Sequence, residues 1–240
     1  MDNDVFAFAR RSLWLRRGHG DYRFIEGGAI VLHRAGSELE RRAAAVEGDH
    51  AIWFGLHPDL FVEGLDREGL STRAAAEPLT PDPRLRYRLT LLINALEREP
   101  VETLSVEESV LNLFSEICQR RAGHRPSVAG RPQTRARRRR VADRARAFLD
   151  AHLTQPMALD AVARAAGASP FHLCRLFREQ TGMTMNTYRT RQRLGRAVER
   201  IASDKVDNLS QLAFELGFSS HSHLSREFRR HLGVPPSRLR

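Results

Sequence analysis

The 240-residue sequence predicts an α+β chain. A small β-barrel with two helices forms its front half. Its back half is all-α, with two helix-turn-helix units joined by a long helix. Three observations predict this. Short strand-like runs separated by Gly-rich turns open the chain. Helical periodicity is continuous from about Val141 onward, and within it one segment recurs at a register offset of 50 residues that widens to 51.

In the front half, Ser12–Leu15, Tyr22–Ile25, Ala29–His33 and Ala51–Leu56 read as strands, divided by turns such as Gly18-His19-Gly20 and Gly27-Gly28. Two helices follow. Leu85, Leu89, Leu92 and Leu96 recur at spacings of 4, 3 and 4 within Arg84–Glu99, and Val106, Val110, Leu113 and Ile117 do the same within Ser105–Arg121. Packing onto the chain's own barrel would bury these stripes, and so would a homodimer seam.

Residues 121–135 combine Gly, Pro, Ser and Arg with almost no apolar side chains, which reads as a flexible linker. We therefore expect a first domain over residues 1–122, a linker over 123–138 and a helical domain over 139–240. The run Arg137–Arg140 either belongs to the solvated linker or touches DNA phosphates beside the helical domain.

Charge divides along the same line. Residues 1–120 hold 15 Arg against 20 acidic residues, residues 121–138 hold 6 Arg and no acid, and residues 139–240 hold 18 basic against 9 acidic residues. An acidic front joined to a basic back suits a sensor fused to a polyanion binder. The two cysteines, Cys118 and Cys174, are too few for a disulfide framework or a four-thiolate zinc site, as expected in a reducing cytoplasm. The start, Met1-Asp2-Asn3-Asp4, lacks the apolar run of a secretory signal, and no stretch approaches the roughly 20 apolar residues of a membrane span. A cytoplasmic protein without a membrane partner is expected.

The repeat sharpens the assignment. Leu159, Ala163 and Gly167 precede Ser169-Pro170, Leu173 and Phe177; Leu209, Ala213 and Gly217 precede Ser219-Ser220, Leu224 and Phe228. Leu and Ala four apart, Gly four later, then Leu and the aromatic four apart describe two helices around a glycine turn. The copies span about 159–181 and 209–232. Gly167 and Gly217 supply the backbone freedom of the turn. Ser169 as N-cap with Pro170 in the first helical position starts the second helix of the first copy, and Ser219 or Ser220 caps its counterpart. One such unit is a weak sign of DNA binding; two in a basic segment are a strong one.

At 100° per residue, Leu173, Leu176 and Phe177 fall on one side of that helix, while Phe171, Cys174, Arg175 and Arg178 fall on the other. The shifted stripe is Ser222, Ser225, Arg226 and Arg229. These faces suit a DNA groove. Phe171, Cys174, Arg175, His221, Ser222, Ser225 and Arg226 are the expected base readers, with Arg175 and Arg226 central. Ser169, Arg178, Ser220 and Arg229 are the expected phosphate contacts. Between the copies, Thr184–Ser203 reads as one helix with Leu194, Ala197, Val198 and Ile201 on one face. Its length of about 30 Å is close to the roughly 34 Å between successive major-groove openings on one DNA face.

Val141–Arg240 resembles the AraC/XylS family of bacterial transcription regulators, through Ala213-Phe-Glu-Leu-Gly217-Phe218-Ser-Ser, Leu224-Ser-Arg226-Glu-Phe228 and the ending Gly233-Val-Pro-Pro236-Ser-Arg-Leu-Arg240. The resemblance implies a bipartite reader of double-stranded DNA that contacts RNA polymerase, most often as an activator; a repressor uses the same reader. It also implies that residues 1–122 form a cupin-like effector-binding and dimerisation domain, with an unspecified small-molecule effector.

Other classes fit less well. Metal-binding cupins use a His-x-His strand motif, whereas the front half offers only the scattered His19, His33, His50 and His57. His221-Ser-His223 lies on an expected helix, where positions two apart diverge by about 200° and cannot share a metal. No nucleophile–base pattern or phosphate loop stands out, so neither an enzyme nor a cofactor is expected. A non-specific nucleic-acid binder would need base-stacking aromatics, and no such stripe is present.

Overall fold

The run Asp-Val-Phe-Ala-Phe-Ala at residues 4–9 shows no polar alternation because the strand it forms is buried throughout. The computed structural model describes residues 3–46, 48–98, 103–123, 132–203 and 206–239. The chain divides into two compact units, Met1–Thr80 with Glu102–Ser127, and Pro81–Val101 with Val128–Arg240.

The first unit contains β1 (Asp4–Ala9), β2 (Leu13–Arg17), β3 (Arg23–Ile25), β4 (Ile30–His33), β5 (Leu39–Ala43) and β6 (Ala51–Leu56). All pairs are antiparallel, in two three-stranded sheets ordered β4-β1-β6 and β3-β2-β5. The expected single barrel is therefore not what forms: among the described residues no ladder joins the sheets into a closed ring. β3 is only three residues long, and β5 presents exposed Arg41 and Arg42, charges that blunt a sheet edge. Strands β1 and β5 lie outside the four expected runs. β1 is buried on both faces and β5 is largely exposed, so neither has the alternation that marks a half-buried strand.

Helices α1 (Pro58–Arg67), α2 (Thr72–Ala75), α3 (Pro83–Arg98) and α4 (Thr103–Gly123) follow the strands. In the first unit, Phe6 of β1 stacks on Phe54 at 4.7 Å, and Phe114 of α4 stacks with Phe61 of α1 at 5.3 Å between ring centroids. His33 is buried and stacks on Trp53. Burial, then the charges of Arg17 and Arg41, pulls its pKa down to about 3 and keeps it neutral.

Helix α3 departs from expectation. It belongs to the second unit, so of the two helices expected to follow the strands only α4 goes with them. Its inner face buries Leu85, Leu89 and Ile93, but also Arg86, Thr90 and Asn94. Thr90 Oγ1 donates to the Arg86 carbonyl of its own helix at 2.9 Å, while Arg86 and Asn94 find partners on another helix, α8, described below. Arg86 pairs with Glu199 through Nε at 2.8 Å and Nη2 at 2.7 Å, and its Nη1 donates to Gln192 Oε1 at 3.3 Å. Asn94 Nδ2 donates to the Ala202 carbonyl at 2.6 Å.

The rest of the second unit is α5 (Pro132–Ala151), α6 (Leu159–Ala166), α7 (Pro170–Thr181), α8 (Met185–Ala202), α9 (Leu209–Glu215), α10 (His221–Leu232) and a 3-10 turn, Pro236–Leu239. The expected linker over 123–138 is corrected where it is described: from Pro132 the chain is helix, and Arg137–Arg140 lie within α5. Arginine is a good helix former and proline is tolerated in a first turn. The earlier part of that linker lies outside the described residues.

Two cores hold the second unit. The first gathers Ala145, Leu149, Val162, Ala163, Ala166, Leu173, Phe177 and Tyr188. The second centres on Leu194, Ala197, Val198, Ile201, Leu212, Ala213, Leu224 and Phe228, with Tyr87 of α3 packed against it. Ala163, Leu173 and Phe177 thus occupy the same places in the first core as Ala213, Leu224 and Phe228 in the second. Each fully buried Leu or Phe contributes about 1.5–3 kcal/mol.

Candidate nucleic-acid interface

Each helix-turn-helix is set by its turn and its cap. Gly167 closes α6 with φ +71°, and Gly217 follows α9 with φ +76°, a region that favours glycine. A Cβ at Gly217 would also come within 2.6 Å of the Thr154 carbonyl oxygen. Ser169 Oγ accepts the His172 N–H at the start of α7, with Pro170 in the first turn. Ser220, rather than Ser219, caps α10 by accepting the His223 N–H at 3.1 Å.

On α7 the expected outer stripe is open to solvent: Phe171 is 85% exposed, and Cys174, Arg175 and Arg178 are exposed beside it. Arg175 lies 3.8 Å from Glu179 of the same helix. Cys174, Arg175, Arg178 and Glu179 line a pocket with Thr184 and Met185 at the start of α8. On α10, His221, Ser222, Arg226 and Arg229 are exposed. Ser225 is not: it is only 8% exposed, and its hydroxyl lies 3.3 Å from His221 Nε2. Ser169 is exposed and Ser220 half-buried, each engaged at a helix start.

Positive charge extends beyond these faces. Arg137, Arg140 and Arg144 are exposed and fall on one side of α5 by helical spacing. Arg144 Nη1 lies 3.5 Å from the position a Cβ would take on Gly167, and Arg138 lies 3.9 Å from Glu179 of α7. Helix α5 therefore flanks the first helix-turn-helix with arginines.

A second arginine series is half-buried and paired within the chain. Arg189, Arg193, Arg196 and Arg200 recur on α8 at spacings of 4, 3 and 4, one helical face. Arg189 Nη2 donates to the carbonyls of Leu153 at 3.3 Å and Gln155 at 2.5 Å. Arg196 pairs with Asp150 at 3.3 Å, and Arg200 with Glu215. Burial, then the charge of Arg189, brings Arg193 down to about 10. Attention to the apolar stripe of α8 passes over this series, although its spacing is visible in the sequence. Among the described residues there is no group of three or more His, Cys, Asp or Glu placed to hold a metal, and no helix is long and apolar enough to cross a membrane.

A family model described as a helix-turn-helix domain matches residues 162–240. The regulatory protein SoxS of Escherichia coli K12 is 37% identical over 95 residues, covering 39% of this chain and 87% of SoxS. The chain belongs to the AraC/XylS family. Within that family, the multiple antibiotic resistance protein MarA of Salmonella typhimurium is 27% identical over 93 residues, covering 39% of this chain and 72% of MarA. The solved structure of ToxT from Vibrio cholerae O395 spans 99% of this chain and 88% of its own, at 12% identity and a TM-score of 0.40. As an AraC/XylS member the chain is a DNA-binding regulator of transcription.

Proposed function

We propose that this AraC/XylS member is an effector-responsive activator that reads two adjacent major-groove half-sites with one chain. The observation that carries the reading is the duplicated architecture: two capped helices with exposed polar and cationic faces, joined through an 18-residue helix about 27 Å long. That length lies near the groove repeat of about 34 Å.

Arg175 and Arg226 are the central base readers in this proposal, because a guanidinium can bond both acceptors of a guanine edge. Phe171 and Cys174 accompany Arg175, offering an apolar surface to a thymine methyl and a small neutral group. His221 and Ser222 accompany Arg226. Ser225, buried against His221, acts by holding that ring rather than by touching a base. Arg178 and Arg229, one turn further on, together with Ser169 and Ser220 at the helix starts, take phosphates. The first unit houses the effector site and a dimer contact, and RNA polymerase is the partner on DNA; these rest on family membership.

The test is selection of genomic DNA by the purified chain at near-physiological salt, with an Arg175→Ala/Arg226→Ala control. A two-part motif with centres about one helical turn apart, lost in the control, supports the reading. Enrichment without a motif, equal in the control, overturns it in favour of a protein that coats DNA. Transcription from a promoter bearing the motif then separates activation from repression.

A further inference from the structure

The arginine series on α8 does more than cover a helix face, because its partners come from both helix-turn-helix neighbourhoods. Asp150, Leu153 and Gln155 belong to the end of α5 and the loop after it, which pack on the first helix-turn-helix. Glu215 and Gly217 belong to α9 and the turn of the second. Arg189 and Arg196 reach only the first group and Arg200 only the second. Arg193 alone spans them: its Nε donates to the Leu153 carbonyl at 2.8 Å, and its Nη1 donates to the Gly217 carbonyl at 2.7 Å.

The surroundings leave this side chain little freedom. A Cβ at Gly217 would come within 2.8 Å of Arg193 Nη2, as well as 2.6 Å of the Thr154 carbonyl, so the second turn sits directly against the loop after α5. The Phe218 ring lies 5.9 Å from the guanidinium carbon. A planar guanidinium with donors in a fixed fork holds two carbonyls at a set angle, whereas an ammonium at the end of a flexible stem does not. Helix α8 on its own fixes the distance between the two recognition helices. A twist about its axis, or a hinge at either end, would still change the angle at which α10 follows α7.

We propose that Arg193 is a positioning residue that locks the second helix-turn-helix against the first and so sets which spacing between half-sites the chain accepts. The proposal rests on the bipartite reading above. One base pair inserted between half-sites shifts the second by about 3.4 Å along the helix and about 35° around it. A locked pair of recognition helices follows poorly, and a hinged pair follows more easily.

The experiment uses the full chain and the two-part motif obtained by DNA selection, rebuilt with the separation of its halves varied from two base pairs shorter to two longer. The wild-type chain is expected to lose about tenfold in affinity or more for the first base pair in either direction. Arg193→Met is expected to flatten that profile to about threefold or less while each half-site keeps its base preference. Arg196→Ala and Arg200→Ala, which remove contacts to one side only, are expected to keep the steep profile. Thermal melting checks that Arg193→Met folds. If it does not, Arg193→Lys, whose ammonium lacks the fork, carries the same expectation of a flattened profile. A folded variant with the wild-type profile overturns the proposal and leaves the bipartite reading intact. A wild-type chain indifferent to spacing overturns both.

Discussion

The two helix-turn-helix units share turn, cap and core pattern, yet different parts of the chain support them. The first is completed by α5, the helix that precedes it directly, through Ala145 and Leu149. The second is completed by the C-terminal half of α8, by Leu239 of the closing turn and by α3, which lies more than a hundred residues upstream. Charge differs as well. The first is flanked by Arg137, Arg140 and Arg144, whereas the second meets α3 through the pair of buried Arg86 with half-buried Glu199. A duplicated motif therefore leaves one copy held by its immediate neighbour and the other held by a helix of the front half.

The largest expected effect breaks the symmetry of the cores. Leu173 and Leu224 are both fully buried at matching positions. Replacing either with Ala is expected to cost about 2–5 kcal/mol. Hydrogen exchange should show protection lost from α9 and α10 in Leu224→Ala and from α6 and α7 in Leu173→Ala. Equal loss across all four helices would mean that the two cores unfold as one.

Next comes the support from α3. Arg86→Ala removes the cation from Glu199 and a donor from Gln192, and is expected to cost about 3 kcal/mol, the low end for a broken buried pair because Glu199 keeps some contact with water. Exchange should rise in α8 and α10 and stay unchanged in α6 and α7. An unchanged melting temperature would show that α3 is not what stabilises the second copy.

The DNA-facing comparison is smaller. Arg175→Ala and Arg226→Ala are each expected to lose about 1–3 kcal/mol of binding and to relax preference at one half-site only, as read by competition with single-base operator variants. Loss of preference at both half-sites from one substitution would mean that the copies do not read independently.

The smallest effect concerns the flank that only the first copy has. The triple change Arg137→Ala/Arg140→Ala/Arg144→Ala is expected to reduce the slope of log affinity against log salt by about 2.7, uniformly across sequences, if all three meet phosphates. An unchanged slope would mean that these arginines do not meet phosphates.

The sequence by itself determined the repeat and its chemistry. The turn glycines, the Ser169 cap, the buried Leu and Phe of each copy and the exposed Arg175, Arg178, Arg226 and Arg229 all sit where spacing puts them. Those features depend on local backbone geometry and on a helical period, both written along a single stretch of chain. Tertiary structure alone decided the allegiance of α3, because a leucine stripe specifies a buried face and not the surface that covers it. It decided the burial of Ser225, which depends on how α10 tilts onto its core. It also decided how the described strands pair into two sheets, since β1 and β5 lack the alternation that registers as a strand. The partners of Arg193 were equally out of reach: they are backbone carbonyls of Leu153 and Gly217, and a carbonyl acceptor leaves no trace in the identity of the residue that carries it.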